Sequence, residues 1–363
     1  MKITLLLALA AFAASTYAAV PVVPTDRMTQ FLQEKSNLKL ELSKWKQSGA
    51  GQAAKQHGFI PSASTRSVDG AEDEELRRFF LTKLMIKEAQ ATNPEAVFST
   101  DTPFTLMTEE EFIKFVGTSY QRGSGLLASP IAEVFSNSTE APCTDKDWTK
   151  SGCVAAVKSQ GQCGSCWAFA AIAALESAVC LSGGPLTPLS EQQVLDCDTS
   201  SYACQGGYPG DALEFIQRAG GVCTEDAYPY VSGDSGDREV CQTSCKPEAV
   251  VVRKVVSIPE TESGLLEAIS GRPVAVGVAA GNPTWKQYKA GIVSSCTSTD
   301  LDHAVLAVGY GGGSDGASPF FKIKNSWGAQ WGEAGFIRLK RGAGTGSSGT
   351  CGIIGPKSVY PQL

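Results

Sequence analysis

The spacing of apolar positions changes along the chain. Residues 24–47 and 72–91 carry apolar side chains at helical spacing among charged ones, as where Glu74, Glu75, Arg77 and Arg78 precede Phe79, Phe80, Leu84 and Ile86. Residues three and four apart share a helix face, so this pattern predicts helices with one buried stripe. Thr108 ahead of Glu109-Glu110-Glu111 and Phe112 predicts a helix start. A hydroxyl can cap the free N–H groups there, and carboxylates suit the positive end of the helix dipole. Residues 48–70 and 121–142 are rich in Gly, Ser and Ala and are expected to be linkers. Ala168–Leu181 is apolar on most faces and free of Gly and Pro, which predicts a buried helix with Cys166 in its first turn. Leu189-Ser190-Glu191-Gln192-Gln193 opens another. From about residue 250 the pattern becomes short β-type runs: Pro273–Ala280, Gly291–Ser294, His303–Tyr310, Phe320–Lys324 and Gly335–Lys340.

The chain has 363 residues, 42% hydrophobic and 19% charged, which is too apolar for a disordered chain. A net charge of −6 argues against a general nucleic-acid binder, because phosphate contacts need a basic face. Only His57 and His303 are present, which excludes His-rich zinc sites. Twelve cysteines point to an oxidising compartment, and none falls before Cys143. Met1-Lys2, the apolar run Ile3–Ala14 and the small residues after it read as a signal segment over residues 1–18. The run is well short of the roughly 20 residues a spanning helix needs, so a secreted or lysosomal/vacuolar protein with no membrane span is expected. Asn137-Ser138-Thr139 is a glycosylation acceptor. Gly311–Gly316 and Gly344–Gly349 fit a dinucleotide-loop spacing, but neither opens a helix, so both read as loops.

Cys166 is the leading chemical candidate. A helix N-terminus favours a thiolate over a thiol, and a nearby imidazolium favours it further. The one histidine past residue 57 is His303, at the start of an apolar strand. Asn325, in Lys324-Asn325-Ser326-Trp327-Gly328, supplies an amide oxygen that can orient an imidazole. Alone, Cys163-Gly164-Ser165-Cys166 is ambiguous between redox pair, metal half-site and structural disulfide, and a lone His before a strand is more often structural. The order and spacing of Cys-Gly-Ser-Cys-Trp, His and Asn-Ser-Trp-Gly give the combination its weight.

From about Asp147 onward the chain resembles the papain family of cysteine endopeptidases, closer to its cathepsin L branch than to cathepsin B. The resemblance rests on Gln160-Gly161 through Trp167-Ala168-Phe169, Leu189-Ser190-Glu191-Gln192, Cys204-Gln205-Gly206-Gly207-Tyr208-Pro209, Tyr228-Pro229-Tyr230, Asp302-His303-Ala304-Val305, Asn325-Ser326-Trp327-Gly328 and Cys351-Gly352-Ile353. It implies an α+β, papain-like two-lobed fold over 142–363: a helical lobe to about 255, a β-barrel lobe from about 256, and a cleft between them. It implies that Cys166 attacks as a thiolate, His303 is its ion-pair partner, Asn325 orients His303 and Trp327 shields that bond. Gln160 and the Cys166 N–H would form the oxyanion hole. Gly206 and Gly207 would pair with an extended substrate. Tyr208, Pro209, Gly277 and Leu301 would line a pocket for a bulky apolar P2 residue, with Pro356 or Lys357 at its floor. Lys357 there would admit acidic P2 residues.

The resemblance implies the bridges Cys163–Cys204, Cys296–Cys351 and Cys153–Cys180. It pairs Cys197 with Cys241 or Cys245. The context of Cys245-Lys246 fits better, which leaves Cys223–Cys241 and an unpaired Cys143. Residues 19–141 would be a mostly helical propeptide acting as an intramolecular inhibitor, running through the cleft in reverse and released by acid. Glu74, Arg78 and Asn93 match the helical motif of such segments, while Thr82, Met85 and Ala89 depart from it; Phe104–Thr108 resembles the strand that follows it. The expected partners are protein or peptide substrates and cystatin-type inhibitors. No cofactor, metal or nucleic acid is expected, and the molecule should be a monomer. The competing readings are a thiol-redox protein using Cys163 and Cys166, and a catalytically silent protein on the same scaffold.

Overall fold

The computed structural model describes residues 21–60, 68–117, 119–120, 144–248, 250–313, 317–342 and 348–363. The expected signal segment, the sequon at Asn137 and Cys143 lie outside them. The N-terminal segment comprises α1 (Met28–Gln47), α2 (Gly49–Gln56), α3 (Val68–Thr92), β1 (Ala96–Phe98) and α4 (Glu109–Gly117). There follow β2 (Lys146–Asp147), α5 (Cys166–Leu181), α6 (Glu191–Cys197), α7 (Pro209–Ala219) and the one-turn α8 (Ser232–Ser235). The rest is β3 (Lys254–Ser257), α9 (Glu262–Gly271), β4 (Val274–Val278), α10 (Pro283–Lys286), β5 (Tyr288–Val293), β6 (His303–Gly311), β7 (Phe320–Lys324), β8 (Phe336–Lys340) and β9 (Val359–Gln362).

In the N-terminal segment α1 lies on α3. Phe31 meets Phe80 edge-on at 5.4 Å, and the ion pairs Lys35–Asp73 and Lys83–Glu41 line the seam. Thr108 and Glu111 cap α4 reciprocally: Thr108 Oγ1 accepts from the Glu111 N–H, and Glu111 Oε2 accepts from the Thr108 N–H. The same Glu111 and Glu74 hold the Arg78 guanidinium, which is 2% exposed. At Thr82, one of the departures from the family motif, the hydroxyl donates to Thr105 O and receives the fully buried Lys286 Nζ at 3.5 Å.

Two expectations for this segment need correction. Residues 48–70 are not all linker, because α2 forms within them. Ser48 caps it by accepting from the Gly51 N–H, and Ala50 and Ala54 are buried. Tertiary burial outweighs the helix cost of Gly49 and Gly51. The strand is Ala96–Phe98, paired antiparallel to β5, whereas Phe104–Met107 is a turn closed by Met107 N–H to Phe104 O. Phe104 and Leu106 are fully buried within that turn.

The strands run β1-β5-β8-β7-β6-β4-β9-β3, with β2 on β6. Only β5 and β8 pair in parallel among the described strands. The order is open: the barrel that the resemblance implied is here a sheet whose ends, β1 and β3, do not pair. Packed on it is α5, whose buried Trp167, Ala171 and Leu175 share a core with Leu213, Ile216, Ala304 and Leu306. A second core joins the strand half to the N-terminal segment: Trp285, Tyr288, Trp331 and Ile337 cluster with Phe31, Phe79, Phe104 and Phe112.

Five disulfides are present among the described residues: Cys153–Cys180, Cys163–Cys204, Cys197–Cys241, Cys223–Cys245 and Cys296–Cys351. Two differ from expectation, since Cys197 pairs with Cys241 and not Cys245, and Cys223 takes Cys245. The backbone explains the exchange. Arg238 donates to Leu195 O and Asp198 O, and the Glu239 N–H donates to Asp196 Oδ1, which lays residues 238–241 against the end of α6. Glu248 bridges to Val222, which brings Cys245 to Cys223.

Candidate active site

The buried helix α5 meets the start of β6 at the bottom of the cleft. Cys166 is the first residue of α5 and fully buried, and its Sγ accepts from the Ala304 N–H at 3.3 Å. His303, next to Ala304, donates from Nε2 to Asn325 Oδ1 at 2.8 Å. Trp327 stacks on the imidazole at 4.7 Å and 27°, closing it from that side. His303 Nδ1 is buried without a partner among the described residues. Gln160 is buried as well. Its Oε1 accepts from Ser326 Oγ at 2.7 Å, which turns its Nε2 toward Cys163 O at 2.9 Å. The structure therefore brings Cys166, His303, Asn325, Gln160 and Trp327 together.

Burial opposes charge on both members of the expected pair. Burial pushes the Cys166 thiol up to about 12, against the Ala304 N–H bond and the other donors that favour the anion. Burial pushes His303 down to about 4, with the bond to Asn325 opposing. In this covered site burial therefore favours the neutral form of each group. Asp302 is also raised, to about 6, by burial against its bonds from the Ala280 and Gly281 N–H groups.

A family model described as papain family cysteine protease matches residues 143–361. The chain belongs to the papain family of cysteine proteases. The senescence-specific cysteine protease SAG12 of Arabidopsis thaliana is 40% identical over 219 residues, 60% of this chain and 61% of that protein. The match thus spans about three fifths of that relative's length. Thiol protease SEN102 of Hemerocallis is 36% identical over 303 residues, 80% of this chain and 81% of its own. The crystal structure of the ragweed pollen allergen Amb a 11, a cysteine protease in its proform, superposes with a TM-score of 0.75 at 28% identity, covering 92% of this chain and 95% of that one.

In this family member the cleft is occupied by its own chain. Ser119 O accepts from the Gly207 N–H at 3.2 Å, and the Ser119 hydroxyl faces the Cys166 sulfur. Tyr120 is buried edge-on against Tyr208 at 5.0 Å, beside Gly277, and its hydroxyl donates to Pro356 O at 3.4 Å. A side chain at Gly277 would collide with that hydroxyl and with Leu301. Gly207 and the pocket residues Tyr208, Gly277 and Leu301 thus gather around the segment. Gly206 instead closes a turn with Tyr202, and Pro209 starts α7 behind Tyr208. Of the two floor residues, Pro356 offers its carbonyl to the pocket, while Lys357 lays its ammonium 3.3 Å from the centre of the Tyr208 ring.

Cys163 is bridged to Cys204, so the redox reading lacks its second thiol; Cys166 is the one free cysteine among the described residues. Among those residues no cluster of three or more His, Cys, Asp or Glu is arranged to hold a metal, and no helix is long and apolar enough to cross a membrane. Sequence reasoning passed over Ser119, Tyr120, Ser326 and His57. The available signals were slight: Tyr120 is the last aromatic before the Gly/Ser-rich run, and Ser326 adjoins Asn325.

Proposed function

We propose that this chain is the precursor of a cysteine endopeptidase. Residues 19–141 are its inhibitory propeptide and 142–363 its peptidase domain, secreted or delivered to a lysosome or vacuole after loss of residues 1–18. One observation carries the reading: the one free thiol among the described residues sits at a helix start, against the strand that carries an imidazole oriented by an amide.

Once water enters the opened cleft, the desolvation that disfavours charge on the pair is relieved. The Cys166 proton then passes to His303 Nδ1, which in the closed state is buried and unpartnered among the described residues. The thiolate attacks the scissile carbonyl carbon, and the oxyanion takes hydrogen bonds from Gln160 Nε2 and the Cys166 N–H. His303 returns its proton to the leaving amine as the C–N bond breaks. Water then attacks the thioester, giving a proton to the imidazole, and the acid departs as the thiolate is restored. Asn325 holds the ring through both steps, and Trp327 keeps water from that bond.

Ser119 and Tyr120 support the inhibitory reading. The residue beside the sulfur precedes the residue in the Tyr208 pocket, whereas a substrate's P2 residue precedes its P1. The segment therefore lies in the cleft backwards and offers no correctly directed bond. Tyr120 also supports a preference for bulky, largely apolar P2 residues. Since Lys357 is engaged on Tyr208, acidic P2 residues are expected to be poor.

Acid-treated precursor should cleave peptide amides with Leu or Phe at P2 and be inactivated by an epoxide-type thiol reagent mapped to Cys166. Cys166→Ala should abolish cleavage, and His303→Ala should lower it by about a thousandfold or more. Full activity in Cys166→Ala would overturn the reading.

A further inference from the structure

Ser165 is the N-cap of α5, yet its side chain caps nothing. The capping side chains Ser48, Ser190, Thr261 and Asn282 each accept from a backbone N–H of the helix they open. Ser165 Oγ, fully buried, instead lies 2.7 Å from Tyr230 Oη. Tyr230 in turn donates to Gln160 O at 2.8 Å. A phenol carries one proton, so with that proton given to Gln160 the Ser165 hydroxyl must be the donor to Tyr230. The result is a directed relay from Ser165 through Tyr230 to Gln160. Burial holds the phenol protonated at working pH.

The relay joins the two places where the oxyanion donors are anchored. One is the Ser165–Cys166 peptide, which bears the Cys166 N–H. The other is Gln160, whose backbone N–H donates to Ser326 O on the opposite side. Tyr230 is itself fixed, its ring edge-on to Phe169 at 4.9 Å and its N–H donating to Glu225 Oε1. Gly233, three residues on, accepts from the Gln162 N–H, so the loop after Tyr230 holds the loop after Gln160. A hydroxyl spent on capping would sit over the first N–H groups of α5, where the sulfur and the oxyanion need room.

We propose that Tyr230, through Ser165, is a positioning residue that sets the distance between the two oxyanion donors. The inference rests on the catalytic reading above and extends it. It predicts a defect confined to the step in which negative charge develops on oxygen.

The test uses acid-activated full-length precursor, wild type against Tyr230→Phe, Ser165→Ala and the double variant. Three quantities are compared: kcat and KM on a peptide amide, the affinity of a peptidyl nitrile, and the rate of alkylation by iodoacetamide. A nitrile adds the thiol and leaves its nitrogen where the oxyanion would sit. Iodoacetamide needs only the thiolate. Tyr230→Phe should lower kcat and nitrile affinity in parallel, each by roughly tenfold, short of the hundredfold or more expected for losing a donor outright. KM, alkylation rate and thermal melting should stay within about twofold or a few degrees. Ser165→Ala should do the same, and the double variant should be no worse than either single one. Unchanged nitrile affinity, or alkylation slowed along with turnover, would overturn the proposal. Should Tyr230→Phe fail to fold, Ser165→Ala decides alone. Wild-type protein whose Cys166 iodoacetamide leaves unlabelled would remove the catalytic reading and this one with it, an outcome separable from the others.

Discussion

On the strand side of the cleft the N-terminal segment covers Trp327 with Phe104, Phe112 and Phe115, at ring separations of 5.1, 5.6 and 6.1 Å. Phe59 packs behind them, and Trp285 and Trp331 lie beyond. On the helical side, apart from Tyr120 against Tyr208, it meets polar groups one at a time: Ser119 O on the Gly207 N–H, Gly58 against Gln162, His57 Nε2 against Ser159 Oγ at 3.3 Å. The first wall is core. Its contacts are dispersion and apolar burial, which neither pH nor a competing peptide replaces cheaply. The second wall uses groups that a substrate or a proton can satisfy instead. Holding and blocking are thus assigned to different chemistries, so the block can be lifted while the segment is still attached.

The largest effect should come from breaching the apolar wall. Phe104→Ala deletes a fully buried ring at the centre of the aromatic cluster and should cost about 3–5 kcal/mol of segment stability. Denaturant unfolding of the precursor, with activity appearing at neutral pH, checks it; an unchanged midpoint would make the wall decorative. Somewhat smaller, about 3 kcal/mol, is Arg78→Ala. It leaves Glu74 and Glu111 without their shared cation and uncouples α3 from the cap of α4. Thermal melting of the precursor at neutral pH measures it, and an unchanged melting temperature would contradict the placement.

The smallest effect belongs to the polar wall and concerns pH. Burial holds His57 below its ordinary 6.5, with Asp234 opposing. Above about 6.5 the ring is neutral whether the segment is docked or free. Below it, the free segment takes up a proton that the docked ring resists, so docking weakens until the pH has passed the lowered docked value. His57→Gln should therefore flatten the pH dependence of activation below about 6.5 while leaving Phe104-dependent stability intact. An identical activation profile for the variant would assign the trigger elsewhere.

Long apolar runs and strong caps made α5, β6 and α6 readable in advance, and the motif spacing brought Cys166, His303 and Asn325 to one place. What escaped depended on neighbours distant in sequence. Gly49 and Gly51 argue against a helix locally, and only the Ser48 cap and burial of Ala50 and Ala54 make one. Phe104-Thr105-Leu106 alternates like a strand, but Thr105 is also buried, its carbonyl accepting from Thr82. The Cys197 partner turned on Arg238 and Glu239, which no motif around Cys245 could reveal. The burial that disfavours charge on Cys166 and His303 depends on how completely Ser119 and Tyr120 exclude solvent, a quantity with no signature in the residues themselves.

The Cys163–Cys204 bridge ties the loop that carries Gln160 to the loop that carries Gly207. One covalent strut thus keeps the reacting atoms in register with the shelf on which a peptide lies. It stands three residues from a sulfur that must remain reduced, so the protein has to tolerate a reductant that spares one thiol pair while protecting a single thiol. Both bridge cysteines are buried, at 0% and 6% exposure, and access is what separates them from a nucleophile laid open when the cleft empties. Such a molecule has a working interval of redox potential, bounded below by the parting of the strut and above by oxidation of Cys166.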